Sequence, residues 1–335
     1  MVKTRDPYLD LVKGILILLV ILGHMLESVD GVVGDVIYHF IYFFHMPLFV
    51  LISGYLTQPI QSLRLCISRN TRLLETLIFF QGILILMGLL QGKVFSWYSI
   101  VTPVWAMWYM LSLFWWRLLV TIINPSKYSI QFCVITSLLL CLFAGYLPFS
   151  YIASFQRTFY FFPFFMIGHC LEVKKKSLKD YGLPLNKSII VLTSALLGCI
   201  YIVGYKNYSF ESLLYGSYCY DIIDGLIFNG GGNCWIVRVL VLLCGYFISL
   251  AFLSLIRYVR APQWLVRAGE LSLFFYIYHI FAVRVFGLLI GIIELPLSTP
   301  FILVYSVVLF LILYVLSGSK IMVKLLNPIT NFLRK

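Results

Sequence analysis

Five histidines stand out in a chain with few ionisable groups, and their positions frame the chemistry it could do. His24, His45 and His279 fall within long apolar runs, whereas His39 and His169 lie nearer the ends of such runs. Imidazole is the side chain best suited to move a proton near neutral pH. His24 follows Lys13 by eleven residues, which at ~1.5 Å per helical residue places it about 16 Å further along the same helix. That is near the middle of a hydrocarbon layer about 30 Å thick. Glu27 and Ser28 come next at i+3 and i+4, on the same helical face. Glu27 could orient the ring or raise its basicity, or simply mark the outer end of the helix. The three mid-depth imidazoles could line one cavity, and His45 and His279 could equally serve as hydrogen-bonding residues between helices.

The cations give a second pattern. Asp10 and Lys13 are spaced i,i+3 and can pair. Arg69-Asn70-Thr71-Arg72 opens another apolar run, with Arg64 upstream. Two arginines on one helical face could grip a phosphorylated ligand, or anchor the helix at a cytoplasmic surface. Arg284 lies a little over one turn beyond His279, inside an apolar run, where a cation requires a partner or a hydrated cavity.

Such residues must be carried by elements that live in lipid. Hydrophobic residues make up 61% of the 335 and charged residues 11%, against roughly a quarter charged in a soluble domain. The fold class expected is therefore all-α, a polytopic transmembrane helix bundle treated as one integral-membrane domain over 1–335. Runs long enough to span, at roughly 20 apolar residues each, fall at 11–29, 36–56, 73–91, 104–123, 130–149, 157–172, 188–205, 235–256, 269–291 and 300–317. That makes about ten spans, the least regular being 157–172, which is short and contains Pro163.

Charge sets the orientation. With the N-terminus inside, the inward segments collect Lys3, Arg5 and Lys13, the arginines 64, 69 and 72, the Lys174–Lys176 cluster, Arg257, Arg260 and Arg267, and the basic C-terminus. The outward segments hold only Lys93, Arg157, Lys206 and Arg238 among the cations, together with Glu27, Asp30, Asp35, Glu211, Asp221, Asp224 and Glu294. Both termini are thus expected in the cytoplasm. The net charge of +12 is spread over these short clusters, so nucleic acid is not an expected partner. The first apolar run contains Lys13 and has no small-residue cleavage site, so it reads as a retained signal anchor.

The longest outward segment, about 206–234, is rich in Tyr, Ser and Gly and ends in Asn229-Gly230-Gly231-Gly232-Asn233. It is too small for a domain of its own and could be a lid or a binding loop. The eight cysteines show no metal-ligand spacing and no metal site is expected. Cys219 and Cys234 share this outward segment, where oxidising conditions would allow a disulfide.

Several short motifs, in order, resemble the membrane-bound acyltransferase family 3, particularly its fucose 4-O-acetylase-like branch. They are Leu9-Asp10-Leu11-Val12-Lys13-Gly14-Ile15 with Leu22-Gly23-His24; Phe43-Phe44-His45-Met46-Pro47-Leu48-Phe49 with Ile52-Ser53-Gly54-Tyr55; Trp108-Tyr109-Met110-Leu111-Ser112-Leu113-Phe114; Phe161-Phe162-Pro163 through Gly168; and Gly269-Glu270-Leu271-Ser272 running on to Tyr278-His279. The family's basic-x10-His signature falls on Lys13 and His24, with Lys in place of the commoner Arg, and its Arg-x-x-Arg signature falls on Arg69 and Arg72. No soluble domain follows the last span, so the chain is expected to complete its transfer alone or hand its product to a partner.

The resemblance implies a multi-pass protein of a bacterial plasma (inner) membrane that moves an acyl group, usually acetyl, from cytoplasmic acyl-CoA to a sugar hydroxyl outside. Acetyl-CoA would be a co-substrate, with no bound cofactor. The acceptor would be a surface polysaccharide or its lipid-linked repeat unit, membrane lipids the surroundings, and a homo-oligomer one form of assembly. On this view His24 is the general base or a transient acyl carrier, with Glu27 beside it. Lys13, Arg69 and Arg72 serve the donor, and His45, His279 and Arg284 line the acceptor pocket. A transporter or flippase for a lipid-linked sugar is the alternative, although the paired, interrupted helices of such proteins are not evident.

Overall fold

In lipid every backbone N–H and C=O must be satisfied within the protein, which favours helices for apolar runs of this length. The computed structural model describes residues 6–29, 31–205, 210–228, 230–293 and 297–326, and among these there is helix and no strand. The N- and C-terminal residues, and with them Lys3, Arg5, Arg334, Lys335 and the expected cytoplasmic ends, lie outside the described residues, as do Asp30, Lys206, Asn229 and Glu294.

Each of the ten apolar runs folds as a helix. In chain order these are α1 (Pro7–Leu26), α2 (Val32–Leu56), α3 (Leu63–Leu90), α4 (Trp108–Ile122), α5 (Ile130–Ala144), α6 (Phe155–Val173), α7 (Leu185–Gly204) and α8 (Cys234–Ile256). A short helix, α9 (Gln263–Glu270), then leads to α10 (Ser272–Ile293) and α11 (Thr299–Leu316). Seven of them, α1, α2, α3, α7, α8, α10 and α11, contain stretches long and apolar enough to cross a membrane. The helices α4 and α5 have 15 residues each, and α6 carries Arg157 and Glu172. Large apolar side chains point away from the protein along α7 (Ile190, Leu197, Tyr201) and α11 (Val304, Leu311, Val315), as lipid-facing helices require.

Local chemistry explains where the helices depart from the apolar runs. α1 begins earlier than expected because Asp6 caps it, its side chain accepting from Tyr8 N–H at 2.9 Å, with Pro7 preset for the first turn. α3 begins at Leu63, nearly three helical turns before the expected 73, so Arg64, Arg69 and Arg72 ride on the helix itself. α6 is a full 19 residues despite Pro163, which is buried within it.

The chain divides into two compact units. The first comprises Met1–Phe49, Lys179–Tyr208 and Cys244–Val323; the second comprises Val50–Leu178, Ser209–Leu243 and Lys324–Lys335. In the first, α1 packs against α9, α10 and α11. Its contact with α9 is a backbone crossing: a Cβ on Gly14 would fall on the Leu265 carbonyl, and one on Gly269 would fall on the Asp10 carbonyl. In the second, α6 packs on α4 and α5, and α4 on α3. There the C-terminal part of α2 crosses α6 in the same manner, with Gly54 on the Phe165 carbonyl and Gly168 on that of Leu51.

The segment after α7 belongs to the second unit, where its described part forms short helices at Glu211–Tyr215 and Tyr220–Ile223. It is tied down by backbone: Tyr220 N–H donates to the Gly145 carbonyl at 2.7 Å. Arg238, placed by the charge pattern in an outward segment, is 1% exposed within the second unit. Its guanidinium donates to the carbonyls of Cys141 (3.1 Å) and Tyr218 (2.8 Å) and lies 4.5 Å from the Tyr220 ring centroid. The expected bridge between Cys219 and Cys234 is not formed. Both are buried free thiols, and Cys234 Sγ is directed at the Tyr220 carbonyl, 3.7 Å away.

Candidate active site

The crossing of α1 over α9 determines what α1 can present. With Gly14 and Gly269 removing the side chains between them, the two backbones touch, and α10, which follows α9 directly, also packs on α1. Ten residues above Gly14 on α1 is His24, and ten beyond Gly269 is His279. Their rings stack, with centroids 5.4 Å apart and planes 15° from parallel. Two of the three mid-depth histidines thus share one place.

Glu27 is the residue at which α1 ends, and it also faces the ring. His24 Nδ1 lies 2.8 Å from Glu27 Oε1. A carboxylate can only accept, so Nδ1 carries the hydrogen, and in the neutral ring the lone pair is then on Nε2. Glu27 is thus both the partner of the His24 ring and the residue at which α1 ends.

The other four histidines make a different bond. His39 Nδ1 approaches the Asp35 carbonyl (2.7 Å), His45 Nδ1 that of Ile41 (2.8 Å), His169 Nδ1 that of Thr57 (3.0 Å) and His279 Nδ1 that of Phe275 (3.1 Å). A carbonyl fixes a tautomer but carries no charge with which to stabilise an imidazolium. His24 is the histidine whose Nδ1 faces a carboxylate.

Sequence reasoning missed Tyr42. Its hydroxyl donates to Glu27 Oε1 at 2.6 Å and lies 3.5 Å from His24 Nδ1. Its ring also meets the His45 ring edge-on, with centroids 4.8 Å apart. His45 therefore joins the group through Tyr42. The signals available were weak: a tyrosine three residues before His45, and a glycine, Gly23, beside His24. A Cβ on Gly23 would come within 3.1 Å of the Tyr42 ring.

The remaining expected site residues are placed as follows. Lys13 pairs with Asp10 at 2.7 Å, three turns below His24 on α1. Arg284 is half-buried on α10, five residues past His279, and makes no hydrogen bond or ion pair among the described residues. Arg69 and Arg72 belong to the second unit, exposed at the start of α3. The inward face of the same turn is occupied by Asn70, 1% exposed, whose side-chain oxygen accepts from Arg117 at 2.6 Å.

The acyltransferase domain of family 3 matches residues 6–317, which takes in α1 to α11 in full. A stretch of 59 residues is 51% identical to the nodulation protein NolL of Sinorhizobium fredii, and one of 60 residues is 47% identical to that of Mesorhizobium japonicum. Each stretch covers 16% of this chain and 16% of the relative's length. No solved structure matches the chain. The motifs, the helical membrane architecture and the match over residues 6–317 lead to one assignment: the chain belongs to the membrane-bound acyltransferase family 3.

Proposed function

We propose that this protein is an O-acetyltransferase of a bacterial inner membrane, acting as a single integral-membrane domain of about ten spans with both ends in the cytoplasm. It transfers acetyl from cytoplasmic acetyl-CoA to a sugar hydroxyl of a surface polysaccharide or its lipid-linked repeat unit. The observation that carries the reading is the His24–Glu27 pair, a basic imidazole nitrogen backed by a carboxylate in a family that transfers acyl groups.

In this mechanism His24 Nε2 takes the proton of the acceptor hydroxyl as its oxygen attacks the thioester carbonyl. The imidazolium so formed is stabilised by Glu27 through Nδ1–H. As the C–S bond breaks, the CoA sulfur leaves and recovers the proton from Nε2. The new ester stays on the sugar, and the base returns to its starting form.

The other assignments rest on position and charge. Arg69 and Arg72 are exposed cations at i,i+3, suited to the phosphates of coenzyme A. Lys13, held by Asp10, is assigned to the donor side with them. His279 and His45 wall the base on the ring face and beyond Tyr42. Arg284, a half-buried cation with no ion pair among the described residues, is assigned to the acceptor.

The test uses full-length protein in its own membranes, supplied with radiolabelled acetyl-CoA. Free CoA should appear in a one-to-one ratio with label in glycan. Labelled glycan without CoA release, or movement of unacetylated lipid-linked sugar across the bilayer with acetyl-CoA untouched, would reject the reading in favour of another mechanism or of transport.

A further inference from the structure

Glu27 must keep a fixed geometry from the end of its helix. It sits where α1 ends, its side chain is 31% exposed, and a free carboxylate there would populate several rotamers. A base backed by a wandering carboxylate would spend much of its time in the wrong geometry. In the structure Glu27 Oε1 accepts two hydrogen bonds at once, from His24 Nδ1 at 2.8 Å and from the Tyr42 hydroxyl at 2.6 Å.

Tyr42 is well fitted to act as the fixed point. It is 8% exposed and has only two side-chain torsions to settle. Its ring lies against the bare backbone of Gly23, beside Tyr38 at 4.1 Å between centroids and against the edge of His45 at 4.8 Å. Its hydroxyl cannot follow Glu27 if the carboxylate swings away, so the carboxylate is held where the hydroxyl is.

We infer that Tyr42 is a positioning residue for the acyl transfer. It clamps Glu27 against His24 Nδ1, which keeps the ring hydrogen on Nδ1 and leaves Nε2 as the basic nitrogen. The inference rests on the acyltransferase reading. Tyr42 touches neither donor nor acceptor in this role; it acts through Glu27. Gly23 suits this packing, because a Cβ there would come 3.1 Å from the Tyr42 ring and ask it to shift.

A double-mutant cycle tests this, with full-length variants in membranes that carry the native glycan and radiolabelled acetyl-CoA as probe. Tyr42→Phe keeps the ring that packs on Gly23 and His45 and removes only the hydroxyl. It should lower turnover about tenfold, a part of the roughly 10²–10⁴-fold that a general base contributes, while KM for acetyl-CoA stays unchanged. In a Glu27→Gln background the same substitution should alter turnover less than about twofold, because the carboxylate it acts through is gone. Equal losses in both backgrounds, a rise in KM in place of a fall in turnover, or full activity of Tyr42→Phe would overturn the inference. If unsubstituted protein transfers no label, the acyltransferase reading itself fails. If it transfers label and the cycle is additive, only the role of Tyr42 falls.

Discussion

Each unit contains a glycine-to-glycine helix crossing and a histidine on one of the crossing helices, yet the two histidines are held differently. In the second unit His169 directly follows Gly168, at the crossing itself, and donates to the Thr57 carbonyl just past the end of α2. It satisfies one of the carbonyls that a helix end leaves open. In the first unit the crossing at Gly14 and Gly269 lies ten residues from His24 and His279. The histidines there are free of the crossing and stack on each other instead. The partner of Nδ1 separates them: a neutral carbonyl at His169, and at His24 a carboxylate, which on the proposed reading backs the base. Residue type alone does not distinguish them; exposure does, because His24 is half-buried and His169 is 1% exposed.

The comparison can be broken at its foundations first. Gly269→Val or Gly168→Val would drive a branched side chain into a facing backbone carbonyl, a worse fit than the ordinary overpacking that costs about 1–3 kcal/mol. Either should abolish recovery of folded protein, read as loss of a monodisperse peak in detergent. Folding of one but not the other would show that the crossings are not equivalent. Glu27→Gln comes next. It keeps the side-chain shape and removes the charge that separates His24 from His169, and should lower turnover by about 10- to 100-fold in the labelled acetyl-CoA assay. Unchanged turnover would remove the distinction drawn between carbonyl and carboxylate. The smallest effect concerns the donor: Arg69→Ala with Arg72→Ala should raise KM for acetyl-CoA about tenfold, as expected for lost phosphate contacts, with little change in KM for glycan. Equal rises in both would make these arginines anchors of α3.

Much of this was legible in the sequence, and what was missed shares one cause. Apolar run length gave all ten long helices, and helical periodicity gave the Lys13–Asp10 and His24–Glu27 pairs, because both partners ride on one helix at i,i+3. Contacts between helices have no such signature. Tyr42 meets Glu27 across from α2 to the end of α1, and His279 meets His24 across from α10. Gly14, Gly54, Gly168 and Gly269 were all visible within motifs, but that they pair as two crossings follows only from the fold. The partners of Arg238 were hidden for the same reason, because the carbonyls of Cys141 and Tyr218 belong to other elements of the chain.

The most direct test of the central claim sets the two histidines against each other. His24→Ala and His169→Ala, each confirmed as folded, are compared for transfer of label from acetyl-CoA to glycan. The account predicts that His24→Ala loses at least about 100-fold in turnover, the lower range for removing a general base. His169→Ala should keep turnover within about threefold while melting at a lower temperature, as loss of a buried hydrogen bond requires. Normal transfer by folded His24→Ala, or a loss in His169→Ala as deep as in His24→Ala, would contradict it.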